Sequence, residues 1–200
     1  MSRSNYEEDD RNYLTGFLDV LISKRKENVI DTNSVDINKI NINLEEIPIF
    51  NNIEMNVLYS VAGYIIHSLH KTSTLCQNCV RSVRRKKNDT FQYSKLVRIR
   101  CYKKDTLFYI NEATFNIFLQ MEHIYRQYEK QITFTSHVNI KTQLEKLFTT
   151  YIKCNFIPIC HNLRLKIFKR FAVFRCKIAC KKYKEQKRYF DSKTMAMHTI

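Results

Sequence analysis

Two hundred residues suit one domain, or one domain with an attached arm, and a 44% hydrophobic share is too high for a disordered chain. Only two glycines and two prolines occur, which argues against a many-turned sandwich or barrel and in favour of helices. The net charge of +15 points to an anionic partner.

That charge is unevenly placed. Residues 1–54 carry 6 Lys and Arg against 11 Asp and Glu, residues 81–104 carry 10 against 1, and residues 162–190 carry 11 against 1. Two basic segments flanking a nearly neutral one form the footprint of a nucleic-acid binder, with solvated helix faces as the plain alternative. The seven cysteines are an odd set, and the opening MSRSNYEEDDRNY lacks the apolar stretch of a secretory signal. A reducing compartment is therefore expected, where a cysteine pair serves as metal ligand or remains as thiols. No run approaches the roughly 18 apolar residues of a membrane span.

In chain order, Tyr13, Phe17, Leu18, Leu21 and Ile22 fall at helical spacing and predict a short amphipathic helix over 12–23. Residues 24–54 are rich in Asn and Asp, which favour turns, and are expected to form an irregular linker. In EMNVLYSVAGYIIHSLH, residues 54–70, Val57, Val61, Ile65 and Leu69 step by four, with Leu58, Ala62 and Ile66 alongside. This predicts a buried helix. Gly63 at its middle costs about 1 kcal/mol relative to Ala, so another backbone is expected to pass close by.

Residues 90–110 contain the apolar stretches Leu96-Val97-Arg98-Ile99 and Leu107-Phe108-Tyr109-Ile110, read as short strands or loop. Asn111 and Glu112 open a helix to about Lys130, Asn as N-cap and the acid suited to the first turn. A further helix is expected at 138–153, and Pro158 breaks the pattern. The last, about 162–189, places Leu163, Ile167, Phe171, Phe174 and Ile178 on one face. Arg164, Lys166, Lys169, Arg170, Arg175, Lys177, Lys181 and Lys182 are expected to form a basic outer wall.

The segment LCQNCVRSVRRKK supplies Cys76 and Cys79, a Cys-x-x-Cys beside a basic run. Two thiolates from one tight turn are half of a tetrahedral zinc site. Unligated thiols and a redox dithiol are the other readings, the last lacking the usual glycine-proline turn. No second Cys-x-x-Cys occurs, so the other half must come from His137, Cys101, or the Cys154, Cys160 and His161 group. His67 and His70 read as satisfied or surface histidines, and Cys176 and Cys180 as neighbouring core cysteines. No Gly-rich phosphate loop is present, and outside the first 54 positions acids stand singly, read as surface residues of helices. No catalytic residue is assigned.

The order of these features resembles the C-terminal region of P-element-like, THAP-associated DDE transposases. The strings VLYSVAGYIIHSL, CQNC and YSKLVRIRCYKKDTLFYINEATFNIFLQMEHIYR carry the likeness. Ala62, Gly63 and Tyr64 match the family's helix, Cys76 and Cys79 its pair, and Leu107, Glu112, Phe115 and Glu122 its later helix. His137 and the basic stretch 162–188 resemble its closing segments. The match covers about residues 50–190, but the family's Gly-Leu-x-x-Pro-Ser turn is replaced by Thr106-Leu107-Phe108-Tyr109-Ile110-Asn111. The catalytic carboxylates of such enzymes lie upstream, in an RNase H-like fold, and none maps onto this chain.

The resemblance implies a mainly α, helical transposase-type module with a few short strands or irregular segments and a zinc knuckle. Its expected bounds are an acidic helix and linker at 1–53, the module at 54–190 and a tail at 191–200. Zinc would be held by Cys76 and Cys79, with His137 as the best third ligand; the fourth stays unassigned, His161 being the candidate offered for it. Phosphates of non-specifically bound DNA would meet Arg84, Arg85, Lys86, Lys87, Arg98, Arg100, Lys103, Lys104, Lys166, Lys169, Arg170, Lys177 and Lys181. The implied location is the nucleus, and the implied protein partners are a transposase domain or a second copy. A scaffold role, or a decayed fragment without function, is the alternative to DNA association.

Overall fold

The computed structural model describes residues 40, 42–43, 49–72, 75–85, 91–100, 108–131, 140–158 and 160–197. The helix expected over 12–23 lies outside these residues, as does most of the Asn-rich segment.

Helix α1 (Asn52–Thr72) is the central element. Asn51 caps it: its side-chain Oδ1 accepts from the Ile53 and Glu54 backbone N–H groups at 3.0 and 2.9 Å. Glu54 reaches back to accept from the Asn51 N–H at 3.0 Å, which completes a capping box. Val57, Leu58, Tyr59, Val61, Ala62, Ile65, Ile66 and Leu69 are all buried, so the helix is covered on nearly every side. The backbone that Gly63 requires is that of Phe108. A Cβ built on Gly63 would stand 2.5 Å from the Phe108 carbonyl oxygen. Tyr59 ties the same crossing, its hydroxyl donating to the Ile110 carbonyl at 2.8 Å.

Helix α2 (Gln77–Val83) follows, then α3 (Lys95–Arg100). Leu96 to Ile99 are therefore helical, which corrects the strand-or-loop expectation. Arg98 N–H bonds the Ser94 carbonyl at 2.9 Å, and Val97 is buried while Ile99 is exposed. Six residues are too few for periodicity to separate a helical turn from a strand. Among the described residues, β structure is limited to one antiparallel bridge between Arg84 and Ile110. It is flanked by Arg85 N–H to Tyr109 O at 2.7 Å and Asn111 N–H to Val83 O at 3.0 Å.

Helix α4 (Glu112–Gln131) starts on Asn111, whose Oδ1 accepts from the Thr114 N–H at 2.8 Å and whose amide donates to the Ser82 carbonyl at 2.7 Å. Helix α5 (Ile140–Tyr151) and the long α6 (Leu163–Met197) pack most closely of any pair. Edge-on aromatic contacts join three helices: Phe118 meets Phe171 at 5.6 Å, and Phe148 meets Phe168 at 6.0 Å. All five apolar residues assigned to the inner face of α6 are buried. Ile40 and Ile42, inside the segment read as linker, are also part of the core. Asn43 fastens them to α4, its carbonyl accepting from the Gln127 amide at 2.6 Å.

Arg175 is a correction to the basic wall. It is 3% exposed, ion-paired with Glu122, and lies over the Tyr125, Phe171 and Phe174 rings. Glu122 is likewise buried rather than on a helix surface, and it also takes Arg126 at 3.0 Å. Arg126 continues to Glu54 at 3.0 Å, so one ion network joins α1, α4 and α6. Burial works against the Arg126 charge, and the carboxylates of Glu122 and Glu54 more than offset it.

Candidate metal centre and basic surfaces

Cys76 precedes α2 in extended conformation, and its carbonyl accepts from the Val80 N–H at 3.1 Å. One helical turn brings Cys79 beside it, fully buried and anchored by its neighbours Val80 and Val83 in the core. The other half arrives from the connection between α5 and α6. Ile152, Cys154 and Ile157 are buried and hold that connection against the body, and Leu163 pins its far end. Between them Cys160, His161 and Asn162 form a single tight turn.

Consecutive side chains in extended chain point apart, so two adjacent ligands require unusual backbone. His161 and Asn162 have φ of 63° and 51°, in the left-handed region that His and Asn tolerate better than most residues. The turn brings the His161 Nδ1 within 3.7 Å of the Cys79 sulfur. Cys160 Sγ lies 3.3 Å from Cys79 Sγ and 3.6 Å from Cys76 Sγ. The ligand atoms of Cys76, Cys79, Cys160 and His161 all fall within 4.8 Å of one another. In a tetrahedron with Zn–S near 2.3 Å, neighbouring sulfurs stand about 3.8 Å apart. The cluster has the dimensions of a Cys3His centre.

The Cys79 N–H, bonded to the Cys76 sulfur, holds the Cys76 thiol below its ordinary range. Burial, followed by the crowding of Cys160 and Cys76, pushes Cys79 up to about 12. A metal held there would have to displace the Cys79 proton, so its binding would weaken as pH falls.

Of the ligands expected from sequence, Cys76, Cys79 and His161 come together. His137 lies outside the described residues, as does Cys101. Cys160, named only as one of a group, is the donor that completes the set. Its neighbour His161 was the available signal: adjacent Cys and His shortly after Pro158 offer a thiolate and an imidazole from one connection. The six described cysteines are all free thiols.

The basic residues divide differently. Arg84 is exposed, with its guanidinium 5.0 Å from the Phe108 ring, whereas Arg85 is half-buried over Phe91 at 5.3 Å. Arg98, Lys169, Arg170 and Lys177 are exposed, and Lys166 and Lys181 half-buried. Arg170 reaches the Thr72 hydroxyl at 3.4 Å, and Lys181 lies 3.8 Å from Glu185. Lys86, Lys87, Lys103, Lys104 and the side chain of Arg100 lie outside the described residues. His67 is buried against Phe108, as a satisfied histidine would be, while Cys180 is exposed and Cys176 half-buried, so the pair is not fully core. Among the described residues no helix is long and apolar enough to cross a membrane.

Residues 49–170 match the family of the DNA transposase THAP9, C-terminal domain. The chain belongs to this family. The match begins just before α1 and ends within α6, so it takes in all four donors of the Cys3His cluster. No curated protein and no solved structure matches the chain.

Proposed function

We propose that this chain is a non-catalytic C-terminal module of a THAP9-type transposase, stapled by zinc and acting in the nucleus by holding DNA without sequence preference. The carrying observation is the disposition of α6, whose apolar face is buried while Lys169, Arg170 and Lys177 stand exposed. Such a face meets phosphates, and no set of side chains on it resembles a base-reading helix. The non-catalytic reading is supported by Glu122, which two guanidiniums neutralise and which is therefore a poor ligand for a catalytic magnesium ion.

The metal part rests on three thiols and one imidazole at tetrahedral spacing, a donor set soft enough to favour zinc. Cys76 and Cys79 come from the start of α2, and Cys160 and His161 from the turn before α6. A zinc ion there would lock the first basic segment to the beginning of the second. Purified protein should carry close to one equivalent of zinc by elemental analysis. Cys160→Ser should release it and lower the melting temperature, whereas Cys180→Ser should do neither. Metal-free protein with unaltered melting would remove zinc from the proposal.

DNA association is tested by binding of two unrelated duplexes across a salt series. Replacing Lys169, Arg170, Lys177 and Lys181 by Gln together should weaken both equally. The log-affinity against log-salt slope should flatten by about 0.9 for each phosphate that is no longer neutralised. Unchanged affinity and slope in a folded variant would refute the DNA reading. An assembly role is the second reading, favoured by Ile53 in the first turn of α1 and Ile49 just before it, which are 63% and 95% exposed. Self-association, or capture of the upstream transposase domain abolished by Ile53→Asp, would support it.

A further inference from the structure

We propose that the cleft between the start of α5 and the middle of α6 seats consecutive phosphates of one DNA strand, making it the principal contact on this module. The proposal rests on the DNA reading above and assigns it a place. The cleft measures about 440 Å³, and among the described residues Lys141, Lys177, Lys181 and Lys184 line it, with Val173, Cys176 and Cys180 between them. Lys141 and Lys184 stand outside the set of cations that the sequence pattern alone assigns to DNA.

Three features make this more than another charged face. The first is register. Lys177, Lys181 and Lys184 are spaced i, i+4, i+7 along α6, a single stripe spanning about 10 Å at 1.5 Å per residue. On a DNA strand the roughly 3.4 Å per phosphate is only the rise along the axis, and because the strand winds, successive phosphates stand further apart, so the stripe reaches about two of them. Lys141 contributes a fourth cation from the opposite wall.

The second is the absence of acid from the described lining. The flanking carboxylates Glu145 and Glu185 stand 3.9 Å from Lys141 and 3.8 Å from Lys181, at the limit of an ion pair. Ion pairs this long at a surface are worth a few tenths of a kcal/mol, so these two carboxylates hold their lysines only weakly. The third is the floor. Burial, followed by the neighbouring Cys180 sulfur, raises the Cys176 thiol above its ordinary range, so it stays neutral and does not cancel the lysine charge. A neutral, partly apolar floor also strengthens the attraction between ammonium and phosphate relative to open water.

Cys180, an exposed residue in the cleft lining, provides a direct probe. In the full chain, alkylation of Cys180 by a small maleimide, read by peptide mass mapping, should slow at least several-fold with a 20-base-pair duplex at low salt. The rate should return at high salt, and inorganic phosphate at matched charge should not reproduce the protection. A companion experiment compares two variants by fluorescence anisotropy. The cleft variant carries Lys141→Gln, Lys177→Gln, Lys181→Gln and Lys184→Gln; the outer variant carries Lys166→Gln, Lys169→Gln and Arg170→Gln. The cleft variant should flatten the salt slope by about two to three units, and the outer variant by less. A slope flattened in the outer variant but kept in the cleft variant overturns the cleft while leaving DNA binding intact. Slopes kept in both variants, with Cys180 unprotected, overturn both. Where a multiple variant does not fold, protection of Cys180 in the native chain decides.

Discussion

Gly63→Ala tests the packing on which the module is built. A methyl carbon and a carbonyl oxygen ordinarily stay about 3.3 Å apart, and here the new Cβ would sit 2.5 Å from the Phe108 oxygen. The obstacle is backbone, fixed by the adjacent Arg84–Ile110 bridge and by the Tyr59 hydroxyl on Ile110, so no side chain can rotate away. Overpacking of this kind costs about 1–3 kcal/mol, sometimes more. Alanine returns about 1 kcal/mol in helix propensity. A backbone clash of this depth belongs at the upper end, leaving a net destabilisation of about 2 kcal/mol. For a domain of this size that lowers the melting temperature by about 4–8 °C. Circular dichroism melting of the parent, Gly63→Ala and Gly63→Val, all in the same zinc-containing buffer, should give a descending series. An alanine variant as stable as the parent would refute the reasoning, because propensity alone would then govern the position.

Glu122→Ala should destabilise by about 3–5 kcal/mol in urea denaturation by leaving Arg175 buried without its carboxylate, whereas Glu122→Leu combined with Arg175→Leu should recover much of that stability. Equal destabilisation in single and double variants would remove the coupling. Asn111→Ala should cost about 1 kcal/mol through removal of the α4 cap, read as a shifted denaturation midpoint at unchanged slope. Burial pushes the Tyr59 phenol up to about 12 from an ordinary 10. Its contribution to stability is thus complete below pH 10 and lost as pH rises through about 12. Denaturation midpoints between those values should fall less steeply in Tyr59→Phe than in the parent.

Much of this architecture is legible in the sequence alone. The four-residue steps of Val57 to Leu69, and the steps of four, four, three and four from Leu163 to Ile178, mark two buried helices, because both follow the helical period. Gly63 points to the close backbone, since glycine inside a helix costs stability without such a reason. What escapes is long-range or charged. Cys160 is separated from Cys76 by 84 positions, and only the tertiary fold brings the two together. Arg175 and Glu122 read as surface residues because of their charge. Yet Phe171, Phe174, Arg175 and Ile178, like Phe118, Met121, Glu122 and Tyr125, follow the i, i+3, i+4, i+7 pattern of a buried stripe. Opposite charges on the inward stripes of two helices are the trace a buried ion pair leaves in a sequence.

The distance between the two halves of the Cys3His cluster also orders events while the chain is being made. At about 5–20 residues per second, Cys160 leaves the ribosome roughly 4–17 s after Cys76. During that interval Cys76 and Cys79 form a dithiol that can hold a metal only in partnership with small thiols or water. The centre closes only after α4, α5 and the turn before α6 have been synthesised. A chain truncated before Cys160 can thus never complete its set, and under the zinc proposal metal loading would mark a module whose two basic segments have met.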